Sequence, residues 1–113
     1  YEAEAAGVED AEVVVFAYGA AARSARAAVR AARERGLRVG LYRPTTLWPF
    51  HDERVRAAVA GRRAVVVPEM NLGQMAREVE RAARGATRVV PVSRVTGELI
   101  PPREILAAIE GVL

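Results

Sequence analysis

The stretch EVVVFAYGAAARSARAAVRAARERGLRVGLY, residues 12–42, contains a strand, a helix and a second strand in that order. Residues 12–18 are a short, mostly apolar run rich in β-branched and aromatic side chains, which is typical of a strand buried on both faces. Residues 21–35 repeat small apolar side chains at helical spacing, with arginines between them. Gly36 stands where a helix commonly ends. Residues 37–42 then predict the second strand.

The rest of the chain continues this alternation of strands and helices. The further elements are predicted at residues 52–60 (helix), 64–67 (strand), 71–84 (helix), 88–92 (strand) and from Pro101 onward (helix). Asp52 is expected to cap the second helix, and Asn71 with Gln74 forms a capping-box-like pair for the third. Such alternation predicts a three-layer α/β/α domain with a mainly parallel sheet. Right-handed crossovers favour the strand order 2-1-3-4.

Length and composition fit one domain of 113 residues. Residues 1–10 (YEAEAAGVED) are polar and lack a clear period, so we interpret them as a linker from an upstream domain, followed by the α/β domain at 11–113. The absence of cysteine excludes a disulfide scaffold and any thiolate site. No apolar run approaches the length of a membrane span, about 20 residues, and we therefore expect a cytoplasmic protein without a membrane partner.

The net charge of +3 comes from 17 arginines and 14 carboxylates, with no lysine. These arginines are spread among glutamates, and aromatic residues make up only 5% of the chain. A nucleic-acid interface usually concentrates basic side chains and interleaves aromatic ones. The sequence therefore argues against a nucleic-acid partner. The arginines of the first helix are interpreted as a solvated face, with pairing to acidic neighbours as the alternative.

The predicted strand order places a crevice between the carboxyl ends of the first and third strands. The residues expected there are Tyr18, Gly19 and Ala20 on one side and Glu69, Met70 and Asn71 on the other. The turn at Gly19 is either a tight strand-to-helix turn or a weak anion contact. Its single glycine does not match a dinucleotide-binding fingerprint. Glu69 is either a general base or ribose ligand, or a hydrogen-bond acceptor for the loop or a neighbouring domain.

The loop at residues 43–51 contributes further candidates. Trp48 and Phe50 either fold back onto the core or contact a partner protein. His51 is the only histidine, so a metal site is not expected, and we interpret it as a surface or capping residue. The remaining candidate ligand or interface residues are Arg43, Thr46 and Gln74. No catalytic set of side chains is recognisable.

Four stretches carry a family resemblance: AYGAAARSA, LYRPTTLWPF, VVPEMNLGQM and SRVTGELIPPREIL. Together they resemble the C-terminal domain of the alpha subunit of 2-oxoacid:ferredoxin oxidoreductases, most closely the 2-oxoglutarate type. The resemblance implies a transketolase C-terminal-like fold. It also implies an enzyme complex that oxidatively decarboxylates a 2-oxoacid to its acyl-coenzyme A, using thiamine diphosphate, magnesium and iron–sulfur clusters, and that reduces ferredoxin.

Within such a complex, the resemblance implies that this domain holds no catalytic residue and binds no cofactor itself. Its expected partners are the beta subunit and the pyrimidine-binding domain of its own subunit, and it meets ferredoxin only through the complex. The isolated domain is expected to be inactive. Two alternatives stay open: a small module that binds an anion or coenzyme A at Gly19, Ala20 and Asn71, and a stand-alone interaction domain.

Overall fold

The computed structural model describes residues 3–45, 50–70, 74–94 and 99–113. These residues form five strands and four helices. In chain order they are β1 (Ala3–Ala6), β2 (Val13–Phe16), α1 (Ala21–Glu34), β3 (Val39–Pro44), α2 (Asp52–Val59), β4 (Ala64–Glu69), α3 (Gln74–Ala83), β5 (Arg88–Ser93) and α4 (Pro102–Val112).

The strands form one sheet with the order β1-β3-β2-β4-β5. The strands predicted from the sequence correspond to β2, β3, β4 and β5, which are parallel to one another. Their order in the sheet is the predicted 2-1-3-4 order, so the topology prediction is confirmed. After β2 the chain adds β3 on one side of it and then crosses over to add β4 on the other side. The carboxyl ends of β2 and β4 flank the crevice at this switch point.

The structure adds one strand that the sequence analysis does not predict. Ala3–Ala6 lies antiparallel to β3, with Glu4 opposite Arg43 and Ala6 opposite Leu41. This strand falls inside the segment interpreted as a linker, so at least these four residues are part of the sheet. The link to an upstream domain stays a prediction.

Helices cover both faces of the sheet and bury a separate apolar cluster on each. Alternate residues of β2 point to opposite faces: Val14 and Phe16 pack towards α2 and α3, whereas Val13 and Val15 pack towards α1 and α4. All four side chains are fully buried. The three-layer α/β/α prediction is therefore confirmed. In the described part of the chain, no helix is long and apolar enough to serve as a membrane span.

The start of α2 differs from the prediction. Asp52 does not act as the N-cap but is the first helical residue, and its carboxylate binds the guanidinium of Arg81 on α3. His51 occupies the N-cap position, without a side-chain hydrogen bond to the helix. Asp52 instead connects two helices on one face of the sheet. The ion pair lowers the pKa of Asp52, mainly through the hydrogen bond from Arg81.

Candidate functional site

The carboxyl ends of β2 and β4 enclose the predicted crevice. Its cavity has a volume of about 210 Å³ and is lined by Tyr18, Ala20, Ala21, Glu69 and Met70. Both walls therefore come from the two strand ends that the sequence analysis singled out. Asn71, which was expected beside them, lies outside the described residues.

Glu69 is the polar centre of this crevice and is only 1% exposed. Its two carboxylate oxygens accept hydrogen bonds from the backbone N–H groups of Met75 (2.9 Å) and Ala76 (3.0 Å). These N–H groups belong to the first turn of α3, where a helix offers no partner of its own. A carboxylate at this position also faces the positive end of the helix dipole. Glu69 therefore caps α3 from a neighbouring strand.

This geometry distinguishes between the two interpretations of Glu69. The residue is a hydrogen-bond acceptor within the protein, although its partner is the backbone of α3 rather than a loop or another domain. A general base must reach the proton that it removes. Here each oxygen already accepts a backbone N–H, and the one other titratable side chain among the described residues that line the cavity is the phenol of Tyr18.

The turn at Gly19 connects β2 to α1. Gly19 has a φ of +56°, a left-handed conformation that glycine adopts without steric cost. The Gly19 carbonyl accepts the N–H of Ala22 at 3.1 Å, which begins the helix. Ala20 provides no side-chain cap, and the first turn carries no acidic residue. The turn is thus a tight strand-to-helix connection with a positive helix end beside it.

A second concave surface, which the sequence analysis did not predict, runs along α1 beside β1. Two cavities of about 450 and 350 Å³ share Arg26 in their walls. We call the combined surface the arginine groove and define it by Arg23, Arg26, Arg30, Arg33 and Arg43, with Val29 and Leu41 on its apolar floor. Among the described residues, the acidic side chains that line it are Glu4 and Glu34.

Glu4 connects β1 to the arginine groove. Its Oε1 atom accepts hydrogen bonds from Arg26 (2.6 Å) and Arg43 (3.0 Å), which lie on α1 and β3. These hydrogen bonds lower the pKa of Glu4, that from Arg26 most strongly. Arg43, a candidate site residue from the sequence, therefore lies in this groove rather than in the crevice.

The other candidate residues are dispersed. Phe50 is half-buried, with its ring centroid 6.2 Å from that of Phe16 and the Arg81 guanidinium 5.7 Å from its centre. Phe50 thus packs against the core, as one of the two interpretations expected. Gln74 is exposed at the start of α3. Thr46 and Trp48 lie outside the described residues.

The matches to known proteins extend over most of this chain. The family model described as pyruvate:ferredoxin oxidoreductase core domain II matches residues 11–105. The 2-oxoglutarate synthase subunit KorA of Methanothermobacter marburgensis is 43% identical over 103 residues, which cover 91% of this chain and 28% of that protein. The ketoisovalerate oxidoreductase subunit VorB of Methanothermobacter thermautotrophicus is 46% identical over 105 residues, covering 93% and 30%.

Two solved structures share the architecture. The 2-oxoglutarate:ferredoxin oxidoreductase of Magnetococcus marinus, solved with 2-oxoglutarate, coenzyme A and succinyl-CoA bound, superposes with a TM-score of 0.81 at 25% identity, over 99% of this chain and 20% of that chain. A split-gene transketolase, an inactive beta4 tetramer, gives the same TM-score at 21% identity, over 99% and 41%. The second match supports the transketolase-like fold alone.

The chain spans about a quarter to a third of the length of the curated relatives that it matches. The matched residues extend from just before β2 into α4, and so include the crevice and α1. The chain therefore belongs to the pyruvate:ferredoxin oxidoreductase core domain II family.

Proposed function

We propose that the chain is a non-catalytic assembly domain of a 2-oxoacid:ferredoxin oxidoreductase alpha subunit. The complete enzyme would decarboxylate a 2-oxoacid oxidatively to its acyl-coenzyme A and reduce ferredoxin. Relatives named for 2-oxoglutarate favour that substrate, as does the similar 2-oxoglutarate:ferredoxin oxidoreductase. Relatives named for ketoisovalerate are equally similar, so the 2-oxoacid class is the firmer part of the proposal.

The hydrogen bonding of Glu69 is the main observation in support of a non-catalytic role. Among the described residues, Glu69 is the one acidic side chain lining the crevice at the strand ends, which is where an α/β enzyme commonly places its chemistry. Both of its oxygens are bound to the backbone of α3. The crevice therefore supports a structural contact better than an acid–base step.

The cofactors of the proposed complex do not fit this chain's own residues. Iron–sulfur clusters are held mainly by cysteine thiolates, and the chain has no cysteine. The described residues include no group of three or more acidic, histidine or cysteine side chains that would hold a metal ion. We propose that thiamine diphosphate, its magnesium ion and the clusters are bound elsewhere in the complex.

The proposed partners are the beta subunit and the pyrimidine-binding domain of the same subunit, with ferredoxin reached through the complex. A cytoplasmic location belongs to the same proposal. The domain would then provide contacts between subunits rather than catalytic groups. Substitutions in it would weaken assembly of the complex more than they would lower turnover.

The test is the Glu69→Gln variant of the intact oxidoreductase. We expect turnover per assembled complex to stay within about twofold of the wild type, because both oxygens of the side chain are bound to the backbone of α3. Removing a general acid or base instead costs about 10²- to 10⁴-fold. The matched control is Glu80→Gln, an exposed position on the same helix. A loss of a hundredfold or more in fully assembled Glu69→Gln enzyme would refute the proposal.

A small-ligand module is the second candidate, because Gly19 and Ala20 line the 350 Å³ cavity together with three arginines. Two of these arginines, Arg26 and Arg43, already bind Glu4. Thermal-shift titration with coenzyme A tests this candidate. Ligand at 100 times its dissociation constant should add about 2.7 kcal/mol of stability. An unchanged melting temperature would exclude it.

A further inference from the structure

We propose that the arginine groove is the docking surface for an acidic surface of another subunit in the same oxidoreductase. This inference rests on the assembly role proposed above and assigns that role to one face of the domain. The groove lies between α1 and the edge strand β1, away from the crevice at Glu69.

The spacing of the arginines on α1 creates one wall of the groove. Arg23, Arg26, Arg30 and Arg33 follow one another at intervals of three, four and three residues, which places them on one helical stripe. All four are exposed. The opposite stripe of α1 is built from small buried residues that pack on the sheet. The helix thus turns its entire basic stripe outwards.

The charges that the described residues bring to the groove do not balance. Among these residues, five arginines and two glutamates line it. Arg26 and Arg43 share the single carboxylate of Glu4, whereas Arg23 and Arg30 have no ion pair with any described residue. Elsewhere on the described surface, arginines such as Arg35, Arg38 and Arg81 do bind carboxylates. Unpaired arginines such as Arg77 and Arg88 also occur elsewhere on the described surface, but the described lining of this groove brings five arginines together with only two carboxylates.

The floor and rim of the groove suit a protein partner. Val29 and Leu41 form an apolar floor beneath the arginines, and both are largely buried. Leu99, at the end of the groove near Arg23, is 58% exposed, the highest exposure among the large hydrophobic side chains described. Arginine around an apolar centre is the composition enriched in protein–protein interfaces.

Charge complementarity identifies the occupant. A second copy of this chain would bring the same positive groove and a net charge of +3 against the first, so self-association through this face is unfavourable. Single-stranded nucleic acid binds best where aromatic side chains offer stacking surfaces. Among the residues that the structure describes, no aromatic side chain lines the two cavities. The carboxylates of an acidic protein surface can pair with the unpaired arginines, and its apolar side chains can cover the apolar floor.

The experiment reverses the two unpaired charges in the intact, co-expressed oxidoreductase. The test variant is Arg23→Glu/Arg30→Glu. The control variant, Arg77→Glu/Arg88→Glu, makes the same charge change at exposed positions on α3 and β5 that have no ion pair with described residues. Subunit dissociation is measured by native mass spectrometry and mass photometry on dilution, at ionic strengths of about 0.01 and 0.15 M.

We expect the test variant to bind its partner subunit about tenfold more weakly at low salt, with the control close to the wild type. The difference should shrink at the higher ionic strength, because the Debye length falls from about 30 to 8 Å. The Arg23→Glu change should not disfavour folding, because Arg23 lies in the first turn of α1, where an acidic residue is favourable. Circular dichroism of the complex checks that the test variant is folded. The neutral variant Arg23→Gln/Arg30→Gln removes the same two positive charges without adding negative ones.

Three outcomes would overturn the inference. Equal dissociation of test, control and wild-type complexes would show that this domain assembles through another face, while leaving the assembly role intact. Nucleic acid that copurifies with the wild type and is lost from the test variant would assign the groove to a different partner. A wild-type domain that is not retained in any complex would instead refute the assembly role itself.

Discussion

At the scale of the residue, Glu69 shows how a buried charge is kept in an apolar setting. Burying an isolated carboxylate is costly, but hydrogen bonds from the N-terminus of a helix offset that cost. Glu69 receives two such bonds, from Met75 and Ala76. The residue therefore fixes the start of α3 against the end of β4.

The first prediction concerns this cap. Glu69→Gln keeps the size of the side chain but removes its charge, and it turns an amide NH₂ towards one backbone donor. We expect the free energy of unfolding to fall by about 1–3 kcal/mol, measured by urea denaturation. Glu80→Gln, exposed on the same helix, should change it by less than about 0.5 kcal/mol. Equal effects of the two substitutions would show that the cap contributes no net stability.

The sequence alone predicted the place of Glu69 but not its partner. A strand followed by an acid and a helix indicates that the acid lies at a strand end beside a helix N-terminus. Which N–H groups it meets depends on the tilt of α3. That tilt does not follow from side-chain periodicity, because it is set by packing between α3 and the sheet.

At the scale of the element, β1 depends on contacts more than on its own sequence. Its residues are AEAA, and alanine has a low preference for strands. Two features of the fold compensate. Glu4 binds the arginines of α1 and β3, and Gly40 allows the backbone at Gly7 and Val8 to approach β3 closely. The first ten residues of the sequence display neither feature, which is why the strand was not predicted.

The second prediction tests the close approach at Gly40. A β-carbon at Gly40 would lie 2.7 Å from the carbonyl oxygen of Gly7 and 2.9 Å from the α-carbon of Val8, so the backbone of the connection from β1 must move. Gly40→Ala should destabilise the domain by about 1–3 kcal/mol in urea denaturation. The matched change Gly111→Ala meets nothing within 4 Å in α4 and should stabilise it by up to about 1 kcal/mol.

An outcome in which Gly40→Ala is as stable as the wild type would mean that β1 detaches or shifts without cost. Amide hydrogen exchange of residues 3–8 distinguishes these cases, because a detached strand loses protection while the rest of the sheet keeps it.

At the scale of the whole molecule, the layer structure was predictable because each signal was local and repeated. Four apolar runs alternate with amphipathic segments, and the right-handed crossover rule leaves few sheet orders. The crevice followed from that order. The arginine groove did not, because its second wall is β1. Without that strand, the arginines of α1 are indistinguishable in sequence from a solvated helix face.

The last prediction concerns acid, which acts on the domain as a whole. Glu4, Glu12 and Asp52 connect different parts of the fold through arginine partners, and each has a pKa below its ordinary value of 4.5 or 3.8, mainly because of the hydrogen bond from its arginine. The unfolded chain therefore takes up protons at a higher pH than the folded one. The stabilisation by these pairs is complete above the unfolded pKa values and is lost as the pH falls through the lower, folded ones.

Measured by urea denaturation between pH 7 and pH 2.5, the wild type should lose stability steeply below about pH 4.5. The triple variant Glu4→Gln/Glu12→Gln/Asp52→Asn should be less stable at pH 7 and should show a shallower decline, so that the two curves converge in acid. The control Glu9→Gln/Glu53→Gln/Glu80→Gln removes three exposed carboxylates that have no ion pair within the described ranges, and should keep the wild-type slope. If the triple variant kept that slope as well, the acid sensitivity would have to arise from other carboxylates, and the three ion pairs would carry no pH-dependent stability.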